Sequence, residues 1–456
     1  MKIPRIMIAG ASSGSGKTTA VCAILSLLKR RDIKVKALKC GPDYIDTMFH
    51  KAVTGVPCSN LDTFFADDNM LKYLLYRNSG EQITVIEGVM GFYDGTGQSG
   101  TDNSTYTVSE ITETPVILTV DAKGASASLL AVIEGFLSFA PNNKITGVIF
   151  NRISSANYCS IKKLMEERFG KIILPIGYIP TLPEELSLPS RHLGLVPADE
   201  ISDLAERLNK TADLCENTID LDLLLKIADS ASELRFSQPN VPKFDKINIA
   251  AAYDNAFCFY YSDTFRLFED MGAKLRFFSP LKNEPVPENS NGLLLGGGYP
   301  ELYAEKLEKN EIAKESVRCA VVSGMPTISE CGGFQYLGKE LNGRKMCGVL
   351  EHSTSYAGKL IRFGYVTLTS QKSGLFGNAG TVLRAHEFHY FDSTGNGNAF
   401  KAVKPNGQEW ECAVLTNTLY AGYPHLFLPS NIQASTEFYK KCLKYKESKN
   451  DNHRSE

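Results

Sequence analysis

The chain has 456 residues, 43% of them hydrophobic and 22% charged, which excludes a disordered chain, a collagen-like fibre and a disulfide-stapled miniprotein. Lysine and arginine number 49 against 51 aspartates and glutamates, for a net charge of −2, so no basic surplus exists to drive sequence-independent nucleic-acid binding. The 11 cysteines stand singly, without a C-x-x-C pair, which fits neither a zinc framework nor a secreted disulfide framework. The N-terminus lacks a signal-peptide stretch, and no run approaches the roughly 18 apolar residues of a membrane span. The expectation is a soluble cytoplasmic protein with free thiols, in contact with neither nucleic acid nor membrane.

Taken in chain order, apolar runs of strand length lie at 5–9, 34–38, 83–86, 116–120, 147–150 and 172–176. Between them, 19–28, 70–75, 129–139 and 161–169 carry helical spacing. Strands alternating with helices predict a parallel sheet covered on both faces, and continuous runs such as PVILTV suit strands buried on both sides. The alternation stops at 232–246, where two prolines and several charges read as a linker. It restarts with a strand at 247–252, a helix over 259–271 and strands at 274–278 and 292–295. The expected division is 1–231, linker 232–246, a second α/β domain over 247–440, and a polar tail over 441–456 that frays.

The first strand runs directly into GASSGSGKTT and then a helix. From Ala11 this reads A-x-x-x-x-G-K-T, a P-loop with alanine at its first position. Its small residues Ser13, Gly14, Ser15 and Gly16 let successive backbone N–H groups converge on phosphate at a helix N-terminus. Lys17 would reach the outer phosphates, the Thr18 hydroxyl would ligate Mg²⁺, and Thr19 continues the loop into the helix. Glu87 ends the strand of ITVIEGVMGFYDG, and Asp94 follows in its loop. KCGPDYID, after the second strand, offers Asp43, Tyr44 and Asp46. Ligands of open α/β sheets sit at such strand ends, so Thr18, Asp46 and Glu87 form the expected metal shell.

In the second domain, PTISECGGFQYL places Cys331 between a strand and a helix, with Ser329 where a nucleophile elbow usually has glycine. A helix N-terminus there would lower the thiol pKa. NGLLLGGGYPEL supplies Gly296, Gly297 and Gly298, of which Gly297 and Gly298 could aim N–H groups at an oxyanion. YPHLF adds His425, and the three segments together suggest thiolate acyl transfer. HEFHY reads as a strand, which sends His386 and Glu387 to opposite faces, and His386 and His389 likewise. That is poor geometry for zinc, and one of the two histidines is expected to be packed.

GASSGSGKTT, KCGPDYID, EGVMGFYDG, LPSRHLGL, DNAFCFYY, LLLGGGYPEL, ECGGFQYL, HEFHY and YPHLF, in that order over about 3–435, resemble the cobyrinate a,c-diamide synthases, glutamine-dependent amidotransferases of cobalamin biosynthesis. The resemblance implies an α/β chain with an N-terminal P-loop, dethiobiotin-synthetase-like ATP domain joined to a class I glutamine amidotransferase-like domain. It implies Cys331 as glutaminase nucleophile with His425 as its base, Lys17 and Thr18 on ATP and Mg²⁺, and Asp43, Asp46, Glu87 and Asp94 in metal binding or substrate activation. Asn151 would meet the nucleotide base, and His386 or His389 would face the corrinoid. The implied substrates are cobyrinate, L-glutamine and ATP, and a homodimer is compatible with the resemblance. Phe427 stands where class I glutaminases carry the Glu of an H-x-E pair, which leaves the orientation of His425 unexplained. The competing readings are the same chemistry on hydrogenobyrinate or nickel-sirohydrochlorin, or a P-loop ATPase switch beside an inactive glutaminase-like domain.

Overall fold

The structure is a computed structural model that describes residues 1–55, 58–96, 100–188, 190–191, 194–195 and 203–455. Of the LPSRHLGL segment, Pro189, His192 and Leu193 lie outside the described residues. The chain forms two compact units, Met1–Pro239 and Asn240–Glu456.

In the first unit, β1 (Arg5–Gly10) leads into α1 (Lys17–Arg30), β2 (Val35–Cys40), α2 (Ile45–Thr54) and β3 (Ser59–Leu61). There follow α3 (Asp68–Asn78), β4 (Ile83–Glu87), α4 (Thr105–Thr112), β5 (Val116–Asp121), α5 (Ser128–Phe139), β6 (Ile145–Asn151), α6 (Ser155–Phe169) and β7 (Leu174–Ile179). A two-residue ladder, β8 (Ser190–Arg191) with β9 (Gly194–Leu195), precedes α7 (Leu204–Cys215) and α8 (Leu221–Asp229). The seven main strands form one parallel sheet in the order β3-β2-β4-β1-β5-β6-β7. The apolar run of β4 is buried along its whole length because neighbouring strands and helices cover it on every side. Strand order sets the site: β2 and β4 are neighbours, and Lys39 pairs in register with Glu87.

The second unit begins with β10 (Ile247–Ala252), α9 (Ser262–Met271), β11 (Ala273–Phe278), β12 (Gly292–Leu295), α10 (Ala304–Lys309), α11 (Glu311–Val322), β13 (Thr327–Glu330) and α12 (Gly332–Leu337). A small sheet joins β14 (Glu340–Leu341), β15 (Arg344–Lys345), β16 (Ser353–Tyr356) and, further on, β19 (Phe391–Ser393). Between β16 and β19 run β17 (Arg362–Ser370) and β18 (Val382–His389), and after them β20 (Phe400–Val403), β21 (Glu409–Cys412), β22 (Val414–Leu415), β23 (Leu419–Gly422), β24 (His425–Leu426) and α13 (Ile432–Ser455). The main sheet runs β11-β10-β12-β13-β23-β22, parallel except at its β22 edge, and an antiparallel sheet runs β21-β20-β17-β18-β24. Their facing sides close one core around Ile249, Phe268, Leu368, Phe400 and Tyr420.

Two expectations need correction. The helix predicted over 259–271 starts at Ser262, because Phe259 instead bridges to Gly297, donating its N–H to the Gly297 carbonyl at 3.0 Å. The tail expected to fray continues α13 to Ser455; Phe438, Tyr439, Cys442 and Tyr445 are buried and anchor the helix. The segment read as a linker, 232–246, has no regular secondary structure and contains the division between the two units, and residues in and beside it are packed. Ala231 and Leu234 are buried and the Phe236 ring lies 5.1 Å from that of Tyr76, while Val241 and Phe244 pack into the second core.

Candidate active sites

The P-loop is shaped by two glycines in left-handed backbone, Gly14 (φ 76°) and Gly16 (φ 95°). Gly16 is required twice over, since a Cβ there would sit 2.2 Å from Asn151 Nδ2. Asn151 donates to the Ser15 carbonyl at 3.1 Å, so its side chain braces the loop. Ser13 is exposed, whereas the Ser15 hydroxyl is buried without a hydrogen-bond partner beside Gly10. Lys17 opens α1, and its ammonium donates to the Ser12 carbonyl at 3.3 Å and to that of Met90. Burial and then the neighbouring Lys39 charge bring its pKa down to about 8.

Beneath the loop lies a buried charge network. The Thr18 hydroxyl donates to Glu87 Oε1 at 2.7 Å. Lys39 Nζ reaches Asp46 Oδ2 at 2.7 Å and Glu87 Oε1 at 3.3 Å, and donates to the Gly88 carbonyl at 2.9 Å. His50 Nε2 lies 2.6 Å from Glu87 Oε2. Burial works against every charge here, and partners overcome it unevenly. Lys39, His50 and Thr18 hold the Glu87 carboxyl well below the usual range, whereas burial pushes Asp46 up to about 6 against the pull of Lys39. Burial would lower His50, but Cys58 and Glu87 raise it to about 10.

The other acidic residues of this edge have local duties. Asp43 Oδ1 accepts the N–H groups of Ile45 and Asp46 at 2.7 and 3.1 Å, which ties the turn containing Tyr44 to the start of α2. Asp94 Oδ2 accepts the Gly91 N–H at 2.9 Å and folds the loop after β4. Among the described residues no three His, Cys, Asp or Glu side chains are grouped to hold a metal. Two carboxylates and one hydroxyl do fit Mg²⁺, which takes one or two carboxylates and completes its shell with water and substrate phosphate. Lys39 and His50 were not singled out in the sequence. Lys39 stands inside the quoted KCGPDYID, but only the β2–β4 register reveals that it meets Glu87.

In the second unit Cys331 sits between β13 and α12 with φ 44° and ψ −100°, the strained backbone of a nucleophile elbow. Its N–H donates to the Gly422 carbonyl at 2.8 Å, and Gly333 donates to Gly296 at 3.0 Å, so the glycine turn is laced to the elbow. A Cβ on Gly332 would lie 3.2 Å from the Gly298 nitrogen, and one on Gly297 would lie 2.2 Å from His425 Cε1. Cys331, Gly297, Gly298 and His425 thus belong to one cluster. The expected lowering of the thiol pKa is overturned: burial, then Glu301 and Glu387, push Cys331 far up. The helix behind it has six residues, too few to offset that desolvation.

His425 opens β24 and pairs in register with His386 of β18. Burial and then His386 and His389 lower its pKa to about 3, so its imidazole is neutral at pH 7. Strand alternation separates the β18 histidines: His386 is half-buried, and His389 is buried on the other face with Glu387. His389 stacks on Tyr423 with centroids 3.8 Å apart, and its ring nitrogens meet Glu387 Oε1 at 2.9 Å and the Phe391 carbonyl. His389 is thus turned inward, while His386 keeps partial exposure. Glu330, just before the nucleophile, went unremarked in the sequence. Its Oε2 lies 3.9 Å from His425 Nδ1.

Comparison with known proteins agrees with these two units. Residues 6–196 match the family described as the CobQ/CobB/MinD/ParA nucleotide binding domain, and residues 248–432 match the CobB/CobQ-like glutamine amidotransferase domain. A cobyrinate a,c-diamide synthase of Listeria monocytogenes serotype 4b is 39% identical over 448 residues, covering 95% of this chain and 98% of the relative. Those of Caldanaerobacter subterraneus subsp. tengcongensis and Thermoplasma volcanium are 37% and 38% identical, covering 96% and 98% of this chain and 98% of each relative. With its nucleotide-binding unit, its glutamine amidotransferase unit and this likeness along nearly its whole length, the chain belongs to the cobyrinate a,c-diamide synthase family of amidotransferase ligases.

Proposed function

We propose that the protein amidates the a- and c-side-chain carboxylates of cobyrinate, using ATP and glutamine, in cobalamin biosynthesis. The observation that carries this reading is the pairing of a phosphate loop over a Thr18–Glu87–Lys39–Asp46 network with a separate Cys331–His425 glycine-turn cluster. A carboxylate resists ammonia because its leaving group is too poor. Transfer of the ATP γ-phosphoryl to it yields an acyl phosphate, from which phosphate leaves readily. Lys17 and the loop N–H groups hold the phosphates, while Lys39 neutralises charge below them. Thr18, Asp46 and Glu87 would hold Mg²⁺, which shields phosphate charge when bound.

At the second cluster the Cys331 thiol and the His425 imidazole both rest neutral, and the thiol proton passes to the imidazole as sulfur attacks the glutamine amide. N–H groups of Gly297 and Gly298 stabilise the oxyanion, the His425 imidazolium gives its proton to the amide nitrogen, which leaves as ammonia, and water hydrolyses the remaining thioester. Mass analysis of products formed from ATP, Mg²⁺, glutamine and cobyrinate, hydrogenobyrinate or nickel-sirohydrochlorin tests the substrate. Diamidation of cobyrinate alone supports the reading, and exclusive product from either other tetrapyrrole replaces it. Cys331→Ala should lose glutamine-supported but keep ammonia-supported amidation, and Lys17→Ala should lose both. Loss of both in folded Cys331→Ala would overturn the division of labour.

A further inference from the structure

The position that holds the usual third group beside a glutaminase histidine is Phe427, whose ring is buried and packs edge-on against Tyr261 with centroids 5.3 Å apart. No carboxylate can approach His425 from there. The backbone instead brings one from behind the nucleophile. Glu330 ends β13, pairs in register with Gly422 of β23, and accepts the Leu426 N–H on Oε1 at 3.1 Å. Its carboxyl group is therefore tied to the strand that carries the histidine, with Oε2 3.9 Å from His425 Nδ1. A small cavity of about 20 Å³ borders Glu330, lined also by Tyr260, Thr264 and Leu428. The nearby Glu387 is already engaged with His389 at 2.9 Å and Arg362 at 3.6 Å.

We propose that Glu330 is the positioning residue of the glutaminase cluster, its carboxylate receiving the Nδ1–H of His425 so that Nε2 is left to take the Cys331 proton. The proposal rests on the reading of Cys331 and His425 as nucleophile and base. Atoms and electrons balance: the thiol proton moves to Nε2, sulfur bonds to the amide carbon as the carbonyl π pair moves to oxygen, the imidazolium so formed keeps Nδ1–H toward Glu330, and its Nε2 proton then goes to the departing nitrogen. Burial alone raises Glu330 to about 8 and is the main cause that lowers His425 to about 3, so each charge is costly until the other forms. Tyr260, Cys331 and Tyr420 of β23 feel the charge of Glu330, His386 and His389 of β18 act on His425, and Glu387 of β18 acts on Cys331 and Tyr420.

The test is glutamine hydrolysis by full-length wild type, Glu330→Gln and Glu330→Asp between pH 6 and 9.5, with thermal unfolding as folding control. Glu330→Gln should lower kcat about 100-fold with KM within about twofold, and should lose the rise in kcat near the Glu330 titration. Glu330→Asp should recover at least about fivefold of that loss, because a carboxylate is restored on a shorter arm. A folded Glu330→Gln with kcat within about threefold of wild type, or with the wild-type pH profile, would overturn the proposal. If Glu330→Gln does not fold, Glu330→Asp decides: a kcat loss of about tenfold at preserved KM supports it, and an unchanged kcat overturns it. Cys331→Ala and His425→Ala run alongside. If these retain glutaminase activity, the underlying reading fails; if they lose it while Glu330→Gln keeps it, only this inference fails.

Discussion

Gly297→Ala isolates the role of close packing at the glutaminase cluster. The added Cβ would stand 2.2 Å from His425 Cε1, 3.0 Å from Nδ1 and 3.2 Å from Nε2, against an ordinary contact of 3.4–4 Å. Since Gly297 lies outside the left-handed region, alanine brings no backbone strain, and the whole effect falls on the imidazole. The ring must retreat by about 1 Å, and a misplacement of that size costs about 100-fold in rate. That corresponds to about 2.7 kcal/mol of transition-state stabilisation. Overpacking of this kind should cost about 1–3 kcal/mol of stability, leaving a measurable folded population. The assay is ammonia release from glutamine, normalised to folded protein by near-UV circular dichroism, beside amidation with ammonium supplied directly. Glutamine hydrolysis should fall about 100-fold while ammonium-supported amidation stays within about twofold. Hydrolysis within about threefold of wild type would refute the claim that His425 works from its position over Gly297.

Lys39→Met should destabilise the first unit by about 3–5 kcal/mol in urea unfolding at pH 7.5, because Asp46 and Glu87 lose the cation between them; a loss under about 1 kcal/mol would contradict the network. His352, whose ring lies tilted against that of Phe334 with centroids 4.1 Å apart, has its pKa lowered by burial to about 4. Below about pH 6.5 the unfolded chain binds a proton there that the folded one refuses, so this contribution is full above pH 6.5 and is lost as pH falls. The stability of wild type relative to His352→Phe should therefore drop by about 1.4 kcal/mol per pH unit from pH 6.5 to 4, and a constant difference would refute it. Purified protein should carry no stoichiometric zinc, since the ring nitrogens of His389 meet Glu387 and Phe391. Elemental analysis finding one zinc per chain, lost in His386→Ala and His389→Ala alike, would overturn that.

The parts legible in the sequence are those whose chemistry is contiguous. GASSGSGKTT needs only a strand, a turn of small residues and a helix, so its shape follows from local backbone freedom, as at Gly16. The Cys331 elbow is likewise one strand end and one helix start. Strand alternation alone separated His386 from His389. Tertiary structure decided what these motifs meet. Lys39 touches Glu87 because a crossover sets β2 beside β4 with those two residues in register, and His50 arrives from α2. The thiol of Cys331 was expected to be acidic from its local setting, yet burial against Glu301 and Glu387 reverses the sign. Glu330 faces His425 only because β13 pairs with β23 and the chain then turns into β24. Backbone conformation is a short-range property that the residue order carries by itself, whereas desolvation and charge pairing depend on which distant strands become neighbours.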